Sequence, residues 1–337
     1  MPHTMSSTET NRWNQLPIRK ILNILGPFIG LLVVIGLFSL HPDVRTLLFD
    51  QFNWKLILTQ TVIVAICAMG MTMIIIGGAI DLSVGSVVAL TSVIGAILVK
   101  QGASPWTVGF VTIMSGTLVS AFNGLVITTL RMTPFIVTLG MMGIARGVAK
   151  WIARNETVFY DASQPNAQAI AALMKDPDPL GWALSPGIII TFILTLLMIV
   201  ILRRTVFGRH IFAIGSNEDS ARLCGIRTRL MRVAIFMASG VFVGIAGLMQ
   251  LSRLRQGDCT SSVALELDVI AAVVIGGASL SGGTGSILGS VIGALIMAVL
   301  RNFSQQAGWP TYVQEIIIGA VIIIAVALDR FRHGKTS

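Results

Sequence analysis

The chain has 337 residues, of which 54% are hydrophobic and only 12% are charged. A soluble domain of this size cannot hide so much apolar surface, so the composition excludes a water-soluble protein and indicates a protein that crosses a membrane several times. The formal net charge of +9 does not indicate nucleic-acid binding, because Lys and Arg accumulate in the cytoplasmic loops of membrane proteins and aromatic residues are not interleaved with these basic residues.

Ten apolar segments predict membrane spans, because a hydrocarbon core of about 30 Å takes about 20 residues of helix. They run over residues 21–40, 56–76, 84–99, 107–129, 134–152, 186–202, 233–251, 268–280, 286–300 and 312–328. The first follows basic residues, as a signal peptide does, but it is too long and lacks a cleavage site, which predicts an uncleaved helix. The eighth is short and glycines follow it, which predicts a broken or re-entrant helix. The fold class predicted is an all-α polytopic membrane protein.

Basic residues are unevenly distributed between the two sides of these spans. With the N-terminus inside, fourteen Lys and Arg fall in cytoplasmic segments and eight on the opposite side. This bias predicts cytoplasmic tails at residues 1–20 and 329–337, on either side of a transmembrane domain over 21–328.

Two glycine-rich stretches of the chain resemble each other. GGAIDLSVGSVVALTSVIGAIL at 77–98 shares GGA and SVIGA, at nearly equal spacing, with GGASLSGGTGSILGSVIGALIM at 276–297. Transporters are commonly built from two related halves whose interface forms the substrate path, so we expect two related halves here.

The first of these stretches contains Asp81 and Ser83 between two apolar runs. An acidic side chain at membrane depth is costly and often functional, whereas either residue also suits the cap of the third span. Capping is the better explanation for Asp81 alone. The three glycines around it allow irregular backbone, so we expect the segment as a whole to line the translocation path.

Two further polar residues lie within the fourth and fifth predicted spans, and a turn at 131–134 joins these spans. They are Asn123 and Arg146. An intramembrane arginine is expected to pair with an acid or to face water, and the sequence does not name its partner.

Residues 203–232 carry seven arginines between two apolar runs. Ser216 is a candidate N-cap with Asp219 three residues on, and Gly225 suits the left-handed residue that follows a helix. The pattern predicts a helix of about two turns over 217–224, which is too short to be stable alone in water. It either joins two spans or docks a partner.

The stretch from Glu266 to Ser286 is rich in glycine, including Gly282, but lacks the lysine of a phosphate-binding loop. The chain contains no such loop elsewhere, so we do not expect it to hydrolyse ATP by that route. Glu266 and Asp268 either cap the eighth span or face a polar path, and capping is the simpler explanation.

No catalytic or metal-binding pattern is recognisable in the sequence. The three cysteines are far apart, the four histidines are scattered, and no Ser/His/Asp set or paired-carboxylate site is present. We therefore expect neither an enzyme nor a bound cofactor or metal.

Four segments together resemble the membrane permease of ribose-type ABC importers, which take up monosaccharides. They are GGAIDLSVGS (77–86), NGLVITTLRMTPFIVTLGMMGIARG (123–147), FGRHIFAIGSNEDSARLCGI (207–226) and ELDVIAAVVIGGASLSGGTGSILGSVIGALI (266–296). The resemblance covers most of the chain from the second span onward, and it implies the ABC importer permease fold in a bacterial inner membrane.

The resemblance also implies partners and functional residues. The partners are two cytoplasmic ABC ATPase subunits, a second permease subunit (identical or a sister chain), a periplasmic or lipoprotein sugar-binding protein, the sugar and membrane lipid. The resemblance implies that residues 203–232, here called the coupling segment, couple to the ATPase through Gly208, Asn217, Glu218, Ala221 and Gly225. The candidate path residues are Asp81, Ser83, Asn123, Arg146, Glu266, Asp268 and Gly282.

Three other functions compete with this one. A related permease for branched-chain amino acids or for a furanose signal would differ only in its pore residues. A secondary transporter driven by an ion gradient would need functional carboxylates within its spans, for which Asp81 is the only good candidate. A polytopic enzyme would need a catalytic set.

Overall fold

A computed structural model describes residues 17–175 and 184–333 of the chain. Most of the predicted N-terminal tail and the last four residues of the predicted C-terminal tail lie outside these described residues. Throughout the described ranges the regular structure is helical, apart from one isolated antiparallel bridge between Val158 and Gly257.

The helices correspond to the predicted spans. In chain order they are α1 (Pro17–Ser39), α2 (Pro42–Arg45), α3 (Gln51–Ile76), α4 (Val84–Lys100), α5 (Pro105–Leu130), α6 (Pro134–Ile152), α7 (Pro165–Ala171), α8 (Pro186–Arg204), α9 (Val206–Ser216), α10 (Glu218–Leu223), α11 (Thr228–Leu254), α12 (Leu265–Ile275), α13 (Ile287–Gln306) and α14 (Thr311–His333), with 3₁₀ turns at Leu47–Phe49 and Ala172–Met174. A helix lies on each of the ten predicted spans, so the prediction of an all-α membrane protein is confirmed.

Not every one of these helices crosses the membrane in one piece. Within the described residues six are long and apolar enough to do so: α3, α5, α6, α8, α11 and α13. By contrast α12 has 11 residues and is therefore about 16 Å long, too short for a hydrocarbon core of about 30 Å. The eighth predicted span is thus a short helix followed by irregular backbone.

Helix α3 lies at the centre of the bundle, where it packs on α8, α11, α12 and α13. Its most apolar window is 89% buried by protein, whereas those of α5, α6 and α8 are at most 33% buried. The strongest pairing is between α5 and α11, whose backbones touch because Gly116 of α5 faces Gly240 and Gly244 of α11. Small residues allow such close contact between membrane helices.

The two resembling stretches have the same backbone. Gly78 after α3 and Gly277 after α12 both adopt left-handed φ angles, +78° and +88°. The amides of Ala79 and Ala278 then bond to the carbonyl five residues earlier, at 3.0 and 3.1 Å. This is the hydrogen bond of a Schellman cap. Each stretch leads into an apolar helix, α4 or α13, which supports the predicted internal repeat.

The connections collect at two opposite ends of the bundle. At one end, here called the coupling end, the amide of Gly283 donates to the carbonyl of Ile76 at 2.8 Å, and the Thr138 hydroxyl donates to the carbonyl of Ile80. At the other, here called the far end, the side-chain amide of Asn166 donates to the carbonyls of Val99 and Ala103, both at 3.1 Å. The coupling end comprises 77–83, 131–133, 205–227 and 276–286, and the far end comprises 40–50, 101–104, 153–175 and 255–264.

Candidate coupling and translocation sites

The coupling segment contains two consecutive helices, α9 and α10. The hydroxyl oxygen of Thr205 accepts a hydrogen bond from the amide of Gly208 and begins α9. Asn217 ends α9 and begins α10, and its side-chain oxygen accepts from the amide of Ser220 at 2.8 Å. The prediction that Ser216 caps the short helix is therefore wrong by one residue. Ser216 is the last residue of α9, and the extended backbone that a cap requires occurs at Asn217, whose side chain caps equally well.

The C-terminus of α10 agrees with the prediction. Gly225 has a φ of +85°, its amide bonds to the carbonyl of Arg222 at 3.0 Å, and the amide of Ile226 bonds to the carbonyl of Ala221 at 3.1 Å. Because Ala221 is buried and both ends are capped, α10 is held in a fixed position although it has only six residues.

Helix α10 is exposed on the side that faces away from the bundle. Leu223 is 87% exposed, beside an ion pair of 2.6 Å between Arg222 and Asp219. On the inner side, the Glu218 carboxylate pairs with Arg232 of α11 at 2.6 Å. A fixed short helix with an exposed apolar side chain is suited to contact a partner protein.

The end of α9 connects this surface to the bundle. A Cβ built on Gly215 would overlap the carbonyl oxygen of Ile76 and lie 2.6 Å from the amide nitrogen of Gly283. A Cβ on Gly282, which has a φ of +87°, would lie 2.7 Å from the carbonyl oxygen of Gly215 and 3.1 Å from the Cα of Gly78. The coupling segment therefore touches the loops of both repeats at one junction, here called the glycine junction (Ile76, Gly78, Gly215, Gly282 and Gly283).

Sequence reasoning selected Gly282 as a path residue and missed Gly215. The structure places Gly282 at the glycine junction of the coupling end. The one signal for Gly215 was a glycine inside a helix, which costs roughly 1 kcal/mol relative to alanine and so calls for a packing reason. Gly208 has such a reason as well, since a Cβ there would overlap the carbonyl of Leu202 at the turn from α8 to α9.

A cleft of about 820 Å³ opens beside α10, between the C-terminus of α5 and the start of α11. We call it the arginine cleft. Its lining residues are Ile127, Thr128, Arg131, Met132, Glu218, Arg222, Ile226, Arg227, Thr228, Arg229, Leu230 and Arg232. In the part of the chain that the structure describes, Arg131, Arg227 and Arg229 show no ion pair with an acid. The cleft is therefore strongly positive.

Three of the candidate path residues form one buried network at the coupling end. The carboxylate of Asp81 accepts from the amide of Ser83 at 2.8 Å and from its hydroxyl at 2.6 Å. The Asn123 side-chain amide, on α5, donates to the same hydroxyl oxygen at 3.0 Å. Ser83 occupies the N-cap position of α4 without a side-chain capping bond. Asp81 thus fixes the loop before α4 instead of capping the first turn of the helix.

Arg146 lies on α6 and is half-buried. Its guanidinium donates to the backbone carbonyls of Cys259 and Ser261 at 2.9 and 2.6 Å. The hydrogen-bond partner of this intramembrane arginine is therefore backbone from 255–264. The carboxylate of Glu266 is near enough to attract it electrostatically, which satisfies part of the expectation of an acidic partner.

Glu266 and Asp268 lie in the first turn of α12, but neither is its N-cap residue. Ala264 takes the N-cap position with a φ of +63° and no side-chain bond. Asp268 instead pairs with Arg301 of α13, and Glu266 lies against Gly85 of α4. The prediction that they cap the helix is therefore not met at the N-cap position itself. Because the start of α12 is inside the bundle, other helices also supply neighbours for both acids.

The candidate path residues thus fall into separate groups. Asp81, Ser83, Asn123 and Gly282 are at the coupling end, whereas Arg146, Glu266 and Asp268 surround 255–264 and the start of α12. Among the described residues, no group of three or more His, Cys, Asp and Glu side chains could hold a metal ion.

Residues 54–326 match the family described as the permease component of branched-chain amino acid transport systems. The chain is 36% identical to the ribose import permease protein of Bacillus subtilis (strain 168), over 92% of this chain and 94% of that one. It is 34% identical to the fructose import permease protein of Rhizobium meliloti, over 84% and 79%, and 30% identical to the L-arabinose ABC transporter permease protein of Azospirillum brasilense, over 94% and 90%.

No solved structure matches the chain significantly. The relatives are transport subunits of ABC importers in which a partner subunit hydrolyses ATP, so this chain is not an enzyme. Its multiple apolar helices make it a multi-pass membrane protein. The chain belongs to the ABC importer permease family that its sequence resembles.

Proposed function

We propose that this chain is the permease subunit of an ABC importer that carries a monosaccharide, such as a ribose-like sugar, across a bacterial inner membrane. The relatives described above are named for ribose, fructose and L-arabinose, which favours a sugar over a branched-chain amino acid. The observation that carries the proposal is the coupling segment, which exposes a fixed short helix and touches both repeat loops at the glycine junction.

The coupling end faces the cytoplasm in this proposal, together with both tails. The arginine cleft supports that orientation, because arginines concentrate on the cytoplasmic side of membrane proteins. The far end then faces the sugar-binding protein, which delivers the substrate.

Two cytoplasmic ATPases bind beneath a pair of permease subunits, formed by two copies of this chain or by this chain and a sister chain. The coupling residues are Gly208, Asn217, Glu218, Ala221 and Gly225, and each has a structural task. Gly208 allows the tight turn into α9, while Asn217 and Gly225 cap α10. Ala221 anchors α10, and Glu218 ties it to α11. Leu223, beside them, enters the groove of the ATPase.

Movement of the ATPases is passed on through rigid contacts. Closure of the two ATPases displaces α10, and α9 follows because one residue separates the two helices. At the glycine junction, the end of α9 presses on Ile76 of α3 and on the loop before α13. Since α3 is the central helix, its displacement changes access to a central path, as rigid-body motion does in other transporters.

The network of Asp81, Ser83 and Asn123 borders the path at the coupling end in this proposal, and Arg146, Glu266 and Asp268 border it nearer the far end. Few charges lie free within the spans, which suits a neutral sugar. High affinity belongs to the binding protein, because tight binding in the path would slow release.

The proposal is tested by affinity capture of the chain from detergent-solubilised native membranes. Wild type is compared with Glu218→Arg, which breaks the pair with Arg232, and with Glu156→Arg, the same charge change at the exposed far end. We expect an ABC ATPase to co-purify with wild type and Glu156→Arg and to be lost from Glu218→Arg. An ATPase absent from all three, under conditions that preserve a known ABC importer, would contradict the proposal.

A further inference from the structure

The segment before α12 is irregular backbone that enters the helix bundle. Three of its residues other than glycine adopt left-handed φ angles: Arg255 at +54°, Ser262 at +58° and Ala264 at +63°. Such conformations are sparsely populated and cluster at functional sites. Arg146 holds the segment through two carbonyls, and a Cβ on Gly85 of α4 would lie 2.5 Å from the carbonyl oxygen of Ser262. Helix α12 thus begins inside the bundle.

A cavity of about 290 Å³ lies at this buried start of α12. Helices α3, α11, α12 and α13 form its walls. The lining residues are Gln60, Ile63, Val64, Gln250, Arg253, Ser262, Val263, Leu265, Asp268, Met297, Ala298, Arg301 and Gln305. Polar side chains thus converge from three long helices onto the N-terminus of a discontinuous one, an arrangement in which many secondary transporters hold their substrates.

The polar lining matches a neutral polyhydroxylated ligand. Gln60, Gln250 and Gln305 each carry a side-chain amide with both donors and an acceptor, as the hydroxyl groups of a sugar require. Asp268 and Arg301 compensate each other's charge in an ion pair, in which Arg301 is 46% exposed and Asp268 is 5% exposed. An intramembrane charge pair that lines a cavity is typically functional.

The size of the cavity and the lack of aromatic residues in its lining restrict the class of ligand further. The cavity is at the lower end of the roughly 300–1,000 Å³ of small-molecule sites, which suits one sugar ring. No aromatic side chain is among its lining residues. This lining would hold a ligand by hydrogen bonds without ring stacking.

We infer that this cavity is a monosaccharide-binding subsite of the translocation path, in which Gln60, Gln250, Asp268 and Arg301 bind the sugar hydroxyls. The inference rests on the proposed function. It adds to that function a place for the substrate and four residues that bind it. The walls include α3, whose other end meets the coupling segment at the glycine junction, so displacement of α3 alters the subsite.

Uptake by the complete importer in proteoliposomes tests the subsite. Wild type is compared with Gln60→Leu and with Gln101→Leu, the same substitution at an exposed far-end glutamine outside the cavity. With D-ribose, D-fructose and L-arabinose as probes, we expect Gln60→Leu to lower uptake about tenfold, as the loss of one or two hydrogen bonds does. ATP hydrolysis stimulated by the binding protein should stay within about twofold of wild type, because the coupling segment is unchanged.

A thiol-labelling experiment measures sugar binding in the cavity independently of transport. Gln60→Cys is labelled with a thiol reagent, and the modified sites are identified by mass spectrometry. A large excess of the transported monosaccharide should slow labelling at position 60, whereas sucrose at equal osmolarity, a disaccharide too large for the cavity, should not. Cys224 is exposed at the coupling end, and its labelling should be unchanged in both solutions.

The outcomes separate the two proposals. If wild type imports none of the three sugars, the proposed function and the subsite both fail. If wild type imports a sugar, but Gln60→Leu imports it normally and the sugar gives no protection at position 60, the subsite alone is wrong. If Gln60→Leu loses both uptake and stimulated ATP hydrolysis, and protection is absent, Gln60 has a structural role and the subsite is also wrong.

Discussion

Gly215 packs directly against the carbonyl oxygen of Ile76. The Cβ atom of any other residue at this position would overlap that oxygen. Alanine at this position must push α9 away from the ends of α3 and of the second repeat loop. Overpacking of this kind costs about 1–3 kcal/mol. We expect Gly215→Ala to lower thermal stability in detergent and to reduce ATP-driven uptake more than the stability loss explains.

The matched control for Gly215 is Gly109→Ala on α5. A Cβ there meets only Leu248, at an ordinary contact distance of 3.7 Å. Its melting temperature should equal or exceed that of wild type, because alanine favours a helix over glycine by up to about 1 kcal/mol, and its uptake should be unchanged. Normal uptake by Gly215→Ala at normal membrane abundance would show that the glycine junction does not transmit movement.

Asp81 uses one carboxylate oxygen for both bonds to Ser83, while its other oxygen is buried without a hydrogen-bond partner among the described residues. Asparagine keeps an acceptor for Ser83. We therefore expect Asp81→Asn to change the free energy of unfolding by less than about 1 kcal/mol, and Asp81→Ala to cost about 1–3 kcal/mol because Ser83 loses its acceptor.

Chemical denaturation of the two Asp81 variants in detergent, together with uptake assays, checks this expectation. Normal folding with a large loss of uptake in Asp81→Asn would instead show that the negative charge itself acts in the translocation path, as a gradient-driven transporter would require.

Within the coupling segment, α10 depends on the left-handed residue that ends it. Gly225 has a φ of +85° and donates its amide to Arg222, whereas proline has a φ near −65° and no amide hydrogen. We expect Gly225→Pro to insert normally in the membrane but to lose ATPase capture. Gly225→Asn should retain it, since asparagine tolerates the left-handed conformation.

Affinity capture at equal permease abundance compares these two variants with wild type. Equal recovery of the ATPase with Gly225→Pro would mean that the shape of α10 is irrelevant to docking.

The irregular segment at 255–264 depends on α6. Arg146→Met retains an unbranched apolar stem but removes the guanidinium, which donates hydrogen bonds to the carbonyls of Cys259 and Ser261. We expect faster hydrogen exchange at 255–264, measured by mass spectrometry, because the backbone loses its anchor. Lys150→Met, at an exposed position one turn along α6, should leave exchange unchanged. Unchanged exchange in Arg146→Met would contradict the anchoring role.

The elements were predictable where local sequence decides them. Each of the ten apolar runs is helical in the structure. The thickness of the membrane sets the length of a span, and a backbone in lipid must satisfy its hydrogen bonds within the helix. The end of α10 was predictable because Gly225 alone suits a left-handed residue. Its start was misplaced because Ser216 and Asn217 are adjacent and both cap well.

The contacts between distant parts of the chain were not predictable from one sequence. The pair of Asp268 and Arg301 joins residues 33 positions apart, and Arg146 binds a segment more than one hundred residues away. Local propensity carries no information on such contacts. The glycine junction was missed for the same reason, since the sequence shows its glycines but not what they touch.

Over the whole molecule, the loops of the two repeats meet the coupling segment at one end, and α3, α11, α12 and α13 enclose the polar cavity nearer the other. Helix α3 reaches both, because Ile76 is at the glycine junction and Gln60 lines the cavity. This arrangement connects the docking surface to the substrate path through one continuous helix.

The most direct test of ATPase docking is site-specific photo-crosslinking in cells that produce the complete importer. A photo-crosslinking amino acid replaces Leu223 on α10 or, in a separate variant, Phe159, which is 65% exposed at the far end. We predict a crosslink to the ATPase from position 223 and none from position 159. A crosslink to the ATPase from position 159 and none from position 223 would contradict both the docking surface and the orientation of the chain in the membrane.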